Sequence, residues 1–570
     1  MSIHKLLSPC AALALVAPVS AQTITTLALA GDNVAGVGNI TNIERMSVNS
    51  AGQWVIEVDT DNPNTNIDHA ILSSVGYGNS EGQPLAMPVG ATLFSTASVD
   101  INGGDELAFS FYLGGAVSSS DNRGVYWNNN LVLQKGSLTT APGFGTGTVI
   151  VDLGTTVLND SNQMLLVVGV NDPGLPSSYD RALLRLDTDG AGNLVSQTAV
   201  VKKGDLRGNG PFPVSNLNTS LHSFDLNDSG QALYIAHMTT TGGGDTGIFL
   251  DSATIAEEGQ PSPIAGRNWQ NLGLDLSLNN NGEWAFTGTL DGDFMTNAVI
   301  EKNGAIFRQE GDILPESGGF GLDGFGHVDL ADNGKLLWLG AWNTQTEMAL
   351  FLDDTPLVIP GVTTIGGQLV QHLIGPGIIG DPGGYAISDN GRWVIFEAAL
   401  TGGLQGAFLM EIPPEADIIC VGDGTYDLGS GPVTCPCVNE STLGAGEGCK
   451  NSQGHGAILS VTGSFKVANA DAVFAASQAR PSQPGMLVQG ATLTALPFKD
   501  GILCMGNPTE RVEVAFTDAS GNAATVGNIA ALGNCAPGDT RYYQYWYRDP
   551  QLSPCGFGSN FTQGLGVLWE

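Results

Sequence analysis

The chain of 570 residues carries 56 acidic and 21 basic side chains, which gives a formal net charge of −35. Such an acidic surface disfavours nucleic acid and anionic membranes, because their phosphates would be repelled. A hydrophobic content of 42% excludes a disordered chain, and beyond the N-terminal segment no apolar run reaches the roughly 18 residues of a membrane helix.

The N-terminal segment has the composition of a secretory signal peptide. His4 and Lys5 form a short polar start, Leu13 to Val16 an apolar centre, and Val19-Ser20-Ala21 a small-residue cleavage site. We therefore predict a signal peptide over residues 1–21 and a mature protein that begins at Gln22. Its predicted location is secreted, extracellular or on the cell surface, without insertion into a membrane.

A polar turn of the type Asn-x-x-Gly recurs along the chain, and an apolar strand follows it each time. In the clearest copy, Asn279 to Gly282 follows alternating leucines and precedes Trp284-Ala285-Phe286. A period of two is typical of strands, and Asn and Gly suit the corner of a hairpin. The seven copies begin at Asn49, Asn102, Asn159, Asn227, Asn279, Ala331 and Ser388.

A second marker runs in phase with the turns, a Gly followed by Asp or Gln at the end of a further pair of strands. Its clearest copies are Gly82-Gln83, Gly204-Asp205, Gly259-Gln260 and Gly311-Asp312. Each repeat thus holds four short strands within about 50–55 residues, and no helical pattern intervenes. The sequence predicts an all-β fold with a seven-bladed β-propeller over residues 22–413, and a stacked solenoid is the structural alternative.

The ends of the repeat region suggest how a ring would close. Thr26 to Asp32 resembles the end of a fourth strand but precedes the first turn, whereas the seventh repeat meets Pro413 after its third strand. We predict that the N-terminal strand completes the last blade, because closure removes exposed sheet edges. Ile418 to Asp423 is the alternative candidate for the missing strand.

The composition changes after Pro413, and most of the cysteines lie there. Strand-like runs predict a C-terminal, disulfide-bearing β-sandwich over residues 414–570. Export favours disulfides over a zinc site at Cys435-Pro436-Cys437 with Cys449. An odd number of cysteines leaves one unpaired, and spacing does not determine the pairing. The candidates are Cys420, Cys435, Cys437, Cys449, Cys504, Cys535 and Cys555.

Two resemblances rest on these motifs. The turns resemble the NxxGxxAF tandem-repeat proteins, a secreted bacterial group; Asn279 to Phe286 fits that pattern fully, whereas Ala331 and Ser388 replace its first Asn. The C-terminal run from Cys435-Pro436-Cys437 to Cys555-Gly556 resembles a module at the ends of many secreted planctomycete proteins. Both resemblances imply export and this architecture, and neither implies a reaction.

No motif indicates catalysis. The histidines beyond His4 are scattered, without His-Glu-x-x-His, and no Gly-x-Ser-x-Gly occurs, so neither a helical zinc protease nor a nucleophile-elbow hydrolase is indicated. We therefore expect the histidines to be structural, and we predict no catalytic residue.

Calcium is the one cofactor that the sequence suggests. Asp225 and Asn227, like Asp187 and Asp189, place oxygen-bearing side chains at alternate positions, as calcium loops do. Equivalent positions in other repeats carry alanine, so we favour a hairpin turn over a metal loop.

The densest aromatic run lies near the C-terminus. As a strand it places Tyr543, Tyr545 and Tyr547 on one face, which is a candidate platform for stacking on sugars or partners. Packing in the core is the favoured alternative.

Taken together, these patterns predict a secreted, non-catalytic binding or cell-envelope-associated protein whose partner is an extracellular protein or glycan. One alternative is an enzyme that acts on extracellular polysaccharide with carboxylates at the ring axis. Another is a calcium-dependent adhesion propeller. Paired carboxylates in an open axial pocket would favour the enzyme.

Overall fold

The structure is a computed structural model that describes residues 23–174, 180–239, 246–373, 384–413, 416–429, 431–550 and 553–569. The predicted signal peptide lies outside this range. Antiparallel strands make up almost all of the regular structure, which confirms the all-β prediction. The chain divides into two compact units, Thr23–Ile412 and Pro413–Glu570. Within the described residues, no helix has the length and apolar character to cross a membrane.

Seven antiparallel sheets build the first unit. The N-terminal strand and the first four sheets are β1 (Thr23–Leu29); β2 (Asn33–Val34), β3 (Gly38–Val48), β4 (Trp54–Thr60), β5 (His69–Ser73) and β6 (Gly78–Ser80); β7 (Ala91–Ile101), β8 (Leu107–Gly115), β9 (Arg123–Trp127) and β10 (Asn130–Gln134); β11 (Val149–Leu158), β12 (Gln163–Asn171), β13 (Asp180–Thr188) and β14 (Leu194–Lys202); β15 (Leu206–Arg207), β16 (Phe212–Leu217), β17 (Phe224–Leu226), β18 (Ala232–Met238), β19 (Thr246–Leu250) and β20 (Ala253–Glu257).

The remaining three sheets continue in chain order, with a 3-10 helix (Pro315–Ser317) between the fifth and the sixth. They are β21 (Trp269–Leu278), β22 (Trp284–Leu290), β23 (Ala298–Lys302) and β24 (Ala305–Gln309); β25 (Leu322–Leu330), β26 (Leu336–Trp342), β27 (Glu347–Leu352) and β28 (Thr355–Val358); β29 (Thr364–Ile365), β30 (Gln368–Leu373), β31 (Tyr385–Ile387), β32 (Trp393–Leu400) and β33 (Leu404–Glu411).

The Asn-x-x-Gly turns form the corners that lead from β3, β7, β11, β17, β21, β25 and β31 into the next strand. In the fifth sheet, Oδ1 of Asn279 accepts hydrogen bonds from the backbone N–H groups of Asn281 (3.1 Å) and Glu283 (2.9 Å). Gly282 has φ 78°, a left-handed conformation that glycine adopts without strain. The motif is thus a structural corner in each sheet.

The amide group of the same asparagine links each sheet to the following one. Nδ2 of Asn279 donates to the carbonyl oxygen of Ala331 (3.0 Å), the first residue of the next turn, and four earlier asparagines make the same contact. We call this series the amide ring; its other bonds are Asn49 to Asn102 (2.8 Å), Asn102 to Asn159 (3.1 Å), Asn159 to Asn227 (2.8 Å) and Asn227 to Asn279 (3.2 Å). Ala331 has no amide, and there the backbone N–H of Asp332 donates to the carbonyl oxygen of Asp389 (2.6 Å). Nδ2 of Asn390 then reaches the carbonyl oxygen of Ser50 (2.8 Å) and completes the circle.

The hydrophobic core follows the same circle. Seven clusters of buried side chains each lie between two successive sheets, and one of them joins the seventh sheet to the first. Leu233 of the fourth sheet and Phe286 of the fifth, for example, belong to one cluster. Because every sheet is apolar on both faces, no sheet can bury its side chains without both neighbours.

The N-terminal strand lies in the last sheet. β1 pairs antiparallel with β33, from Thr23 opposite Glu411 to Leu29 opposite Gly406. The alternative candidate for this position is wrong, because Asp417–Ile419 pairs instead with a strand of the C-terminal unit.

The C-terminal unit contains a six-stranded and a three-stranded antiparallel sheet, and its largest cluster of buried side chains draws on both. Its elements are β34 (Asp417–Ile419), β35 (Ile458–Thr462), β36 (Val473–Ser477), β37 (Pro484–Phe498), β38 (Gly501–Phe516), β39 (Ala523–Ala524), α1 (Ile529–Leu532), β40 (Thr540–Arg548), β41 (Ser559–Phe561) and β42 (Gly564–Leu568). Three disulfides join Cys420 to Cys504, Cys435 to Cys449 and Cys437 to Cys555. Cys535 is free and buried.

The tyrosines of β40 belong to this core. Tyr543, Tyr545 and Tyr547 are 0%, 3% and 0% exposed, so the hypothesis of an exposed binding platform is wrong. The face that they share covers the second sheet, where Phe474 lies 4.5 Å from the ring centre of Tyr543. An aromatic row of this kind buries a large apolar area, which is its structural role.

Candidate functional site

A cavity of about 170 Å³ lies in the middle of the first unit, where the inner strands and turns of all seven sheets meet. We call it the central cavity. None of the described residues that line it is a lysine or an arginine, whereas several are aspartates. The acids on its wall are Asp100, Asp160, Asp225, Asp228, Asp329 and Asp389.

Three of these acids lie two residues before a turn, on the inner strand of every second sheet. One carboxylate oxygen of each accepts the backbone N–H of the next sheet: Asp100 from Leu158 (2.9 Å), Asp225 from Leu278 (2.7 Å) and Asp329 from Ile387 (2.9 Å). The other oxygen of Asp100 accepts from Oγ of Ser47 (2.8 Å), in the preceding sheet. These side chains therefore bridge the sheets.

Burial dominates the electrostatics of the bridging acids. It raises the pKa of Asp100 to about 6 and that of Asp225 to about 7, against the opposing effect of the hydrogen bonds that they accept. The pKa of Asp329 is raised for the same reason. A desolvated carboxylate holds its proton more firmly, so the cavity wall carries protons that are exchanged near neutral pH.

A second set of acids lies on the turns themselves. Oδ1 of Asp228 accepts the backbone N–H of Asp160 (2.8 Å), and Asp160 accepts in the same way from Gly103 (2.5 Å). Asp389 faces the cavity, and desolvation by the surrounding protein raises its pKa well above the ordinary value. The charges of Asp332, Asp160 and Asp228 add to this shift. Several carboxyl groups thus share one small volume, and burial together with their mutual repulsion favours the protonated forms until a cation enters.

Two histidines and a tyrosine pack beside the wall. The ring of His327 stacks between those of His222 (4.6 Å) and Tyr385 (3.7 Å), and the Tyr385 hydroxyl donates to the backbone carbonyl of His327 (2.7 Å). Burial holds the pKa of His327 well below its usual value and raises that of Tyr385. Both groups are therefore neutral and structural, and of the two histidines only His222 lines the cavity.

The four calcium candidates do not converge. Of these, only Asp225 lines the central cavity, where both of its oxygens accept backbone N–H groups. Asn227 belongs to the amide ring, and Oδ1 of Asp189 accepts from Ala191 and Asn193 within its own turn. Asp187 accepts from Nε2 of Gln163 (2.8 Å). Their oxygens thus serve hairpin turns and strand contacts, and the described residues that could group around a metal ion do not include them.

The Gly-Asp marker also has a local role. Oδ2 of Asp32, Asp205 and Asp312 accepts the backbone N–H three residues earlier, at 2.8, 3.0 and 2.9 Å respectively. This contact closes the turn after the last strand of the hairpin, and the preceding glycine has a positive φ each time.

A cluster that the sequence patterns missed lies on the first sheet, away from the cavity lining. His69 Nε2 is 2.7 Å from Oδ1 of Asp59, and this hydrogen bond raises the pKa of His69 to about 9. Burial raises the pKa of Glu81, on the other side of the ring, to about 7. The residues of this cluster come from different strands, so no local sequence motif identifies it.

The fold and the cavity define an all-β protein in which seven sheets surround a carboxylate-lined cavity. The chain belongs to a family of unknown function, DUF7453, whose family model matches residues 14–353. A search of curated proteins found no match.

Solved structures resemble the chain only distantly. An α-L-arabinanase of Penicillium chrysogenum complexed with arabinobiose has 13% identity and a TM-score of 0.29 over 56% of this chain and 93% of its own. A Trypanosoma rangeli sialidase complexed with the inhibitor DANA has 10% identity and a TM-score of 0.28 over 95% of this chain and 90% of its own. A mutant puromycin hydrolase complexed with PGG has 11% identity and a TM-score of 0.34 over 79% of this chain and 61% of its own. Resemblances at these scores carry no argument about function.

Proposed function

We propose that this chain is an exported, non-catalytic binding protein whose seven sheets are the blades of a β-propeller. In this proposal the central cavity takes a positively charged group of an extracellular ligand, either an amine-bearing glycan or a basic protein segment. The proposal rests on the observation that six aspartates line the cavity, while none of its described lining residues is a lysine or an arginine. A cavity lined by carboxyl groups favours cationic ligands, because a bound cation stabilises the ionised carboxylates and displaces their protons.

The architecture of the proposal has its own support. Seven sheets, seven clusters between them and the pairing of β1 with β33 favour a closed ring of seven blades. Three disulfides in the C-terminal unit and the signal-like N-terminus favour export.

Binding is favoured over catalysis because the inner acids already serve the fold. Both oxygens of Asp225 accept backbone N–H groups, and the oxygens of Asp100 accept from Ser47, Ile101 and Leu158. A general acid or a nucleophile must instead direct an oxygen at the substrate. Asp389 has no such bond among the described residues, and it faces the cavity as a carboxyl group whose proton a bound cation would displace.

The test is calorimetric titration of the chain from Gln22 with chitosan oligosaccharides and with a lysine-rich peptide. The double variant Asp228→Asn/Asp389→Asn removes two carboxyl groups that could pair with the cation, and an amide at position 228 keeps the oxygen that accepts from Asp160. We expect several-fold weaker binding, since each ion pair contributes up to about 1 kcal/mol. Asp293→Asn is the matched control on the outer surface, where an amide oxygen keeps the bond to the Met295 N–H. The proposal is wrong if neither probe binds, or if the double variant binds as the wild type does.

A second function has one specific observation in its favour. Asp100 and Asp225 have pKa values raised to about 6 and about 7 and share the cavity with His222, which is a chemistry that general acids use. Release of reducing ends from a panel of extracellular polysaccharides, abolished by Asp225→Asn, would establish this alternative and replace the non-catalytic proposal.

A further inference from the structure

We propose that the first sheet contains a binding site for a divalent metal ion of the zinc class. Its ligands are a carboxylate oxygen of Glu44, a carboxylate oxygen of Asp59 and Nε2 of His69. These donor atoms all lie within 4.8 Å of one another. The site is separate from the proposed function, because none of the three residues lines the central cavity.

The local fold brings the three ligands to one face. Asp59 on β4 lies opposite His69 on β5 in the antiparallel pair, so that their side chains point to the same side of the sheet. Glu44 lies in an irregular stretch of β3, where the register shifts between Ile43 and Met46. A bulge of this kind redirects a side chain that regular pairing would point elsewhere.

A second set of carboxylates orients the histidine. Nδ1 of His69 lies 3.7 Å from Asp68 and 3.6 Å from Glu81. Metal-binding histidines generally direct the second ring N–H to a carboxylate, which fixes the ring and makes the free nitrogen a better ligand. Nε2 lies 2.7 Å from Oδ1 of Asp59, so in the ion-free chain this nitrogen holds a proton against Asp59. A metal ion at Nε2 would replace that proton, while Nδ1 keeps its N–H on the side of Asp68 and Glu81.

The cluster gathers many acidic groups around few basic ones. Five carboxyl groups lie beside one arginine and one histidine, and burial raises the pKa of Glu44, Glu57 and Glu81, so a cation that enters the site would take the place of protons. The side chain of Glu57 is only 1% exposed; its Oε2 pairs with Arg45 (2.6 Å), while its Oε1 accepts no hydrogen bond among the described residues. Glu57 is two residues from Asp59 on the same strand face. A cation beside this buried carboxyl group would add to the stabilisation that Arg45 and Thr96 already give it.

The donor set indicates which metal fits. Calcium and magnesium take oxygen ligands, whereas an imidazole nitrogen beside carboxylates suits zinc and its neighbours among the transition metals. His69, Asp59 and Glu44 are 24%, 26% and 29% exposed, so an ion can enter from solvent. Three protein ligands leave one tetrahedral position for water.

The experiment uses the chain from Gln22 after dialysis against a chelator. Calorimetric titration with zinc chloride, and separately with calcium chloride, gives affinity and stoichiometry, and elemental analysis after gel filtration counts the bound metal. We expect one zinc ion per chain, weaker binding of calcium, and at least tenfold weaker zinc binding in His69→Gln and Asp59→Asn.

His372→Gln is the matched control, because His372 is an exposed histidine on β30 outside the cluster; it should bind zinc as the wild type does. Circular dichroism checks that each variant is folded, and Glu44→Gln tests the same site should Asp59→Asn unfold. The proposal is overturned if the wild type binds no zinc, if calcium binds more tightly than zinc, or if folded His69→Gln keeps the wild-type affinity and stoichiometry.

Discussion

The amide ring makes a quantitative prediction at Asn279. Replacement by alanine removes two acceptor bonds within the turn and two donor bonds, to Oε2 of Glu283 (2.7 Å) and to the carbonyl oxygen of Ala331. Each buried hydrogen bond contributes about 0.5–1.5 kcal/mol net, and the unpaired backbone groups add their desolvation. We expect Asn279→Ala to lower the free energy of unfolding by about 2–4 kcal/mol.

Urea denaturation followed by circular dichroism measures this loss. The substitution leaves the C-terminal unit unchanged, so any change in the transition belongs to the ring of sheets. Asn129→Ala is the control, since Asn129 is an exposed turn residue with no side-chain hydrogen bond among the described residues, and it should cost less than about 0.5 kcal/mol.

A third variant separates the contribution of the turn from that of the contact between sheets. Asn279→Asp keeps an oxygen that can accept from Asn281 and Glu283 but loses the amide that donates to Ala331. Asn279 also donates to Oε2 of Glu283, so the aspartate variant is compared in a Glu283→Gln background, where two carboxylates do not face each other. If the contact between sheets matters, Asn279→Asp will be destabilised in that background, and more so because a carboxylate then faces a carbonyl oxygen. The reasoning is refuted if Asn279→Ala loses less than about 1 kcal/mol, or if Asn279→Asp is as stable as the wild type.

Three further predictions concern the acids and the cysteines. The folded pKa of Asp225 is raised to about 7, so the stability that its protonated form contributes is present at acid pH and is lost as the pH rises through 7. The wild type should therefore unfold at a lower urea concentration at pH 8 than at pH 5.5, and the difference should be smaller in Asp225→Asn. The opposite order would contradict the raised pKa. Mass spectrometry after alkylation of the chain from Gln22 should show one labelled thiol, Cys535, in denaturant and none in the native protein, whereas native labelling would contradict its burial. The double variant Cys420→Ala/Cys504→Ala removes a disulfide that joins residues 84 apart and thereby restricts the unfolded chain. Urea unfolding of the C-terminal unit should show a free energy of unfolding lower by about 4–5 kcal/mol. A decrease below about 1 kcal/mol would contradict this entropic effect on the unfolded chain.

Local sequence patterns were sufficient to predict the structure of the repeated unit. Alternating side chains define strands, and a turn with Asn at its first position and Gly at its fourth has few other uses than a hairpin corner. The second role of the asparagine was beyond such reasoning, because the carbonyl that its amide reaches lies 52 to 68 residues further along the chain.

The candidate sites were harder to predict for the same reason. The sequence suggested Asp225 as a calcium ligand. Its position in one cavity with Asp100 and Asp329 could not be predicted, because it follows only from the register of the inner strands. The group around His69 needs two strand pairings and a bulge to form, none of which a linear pattern reveals. The tyrosines of β40 had the expected alternation, but alternation alone does not say which face a second sheet covers.

The pairing of β1 with β33 has a consequence for how the molecule forms. Thr23 is among the first residues of the ring to be synthesised and Glu411 among the last, yet the two are direct partners. Until the whole unit has been made, the terminal sheets keep open edges, and edges of this kind readily pair with other chains. Closure over such a sequence distance makes folding slow, since the chain must pay the entropy of the loop before the final contacts form. The completed ring brings its two ends together, so a circular permutant that joins residue 411 to residue 23 should fold with every strand pair retained.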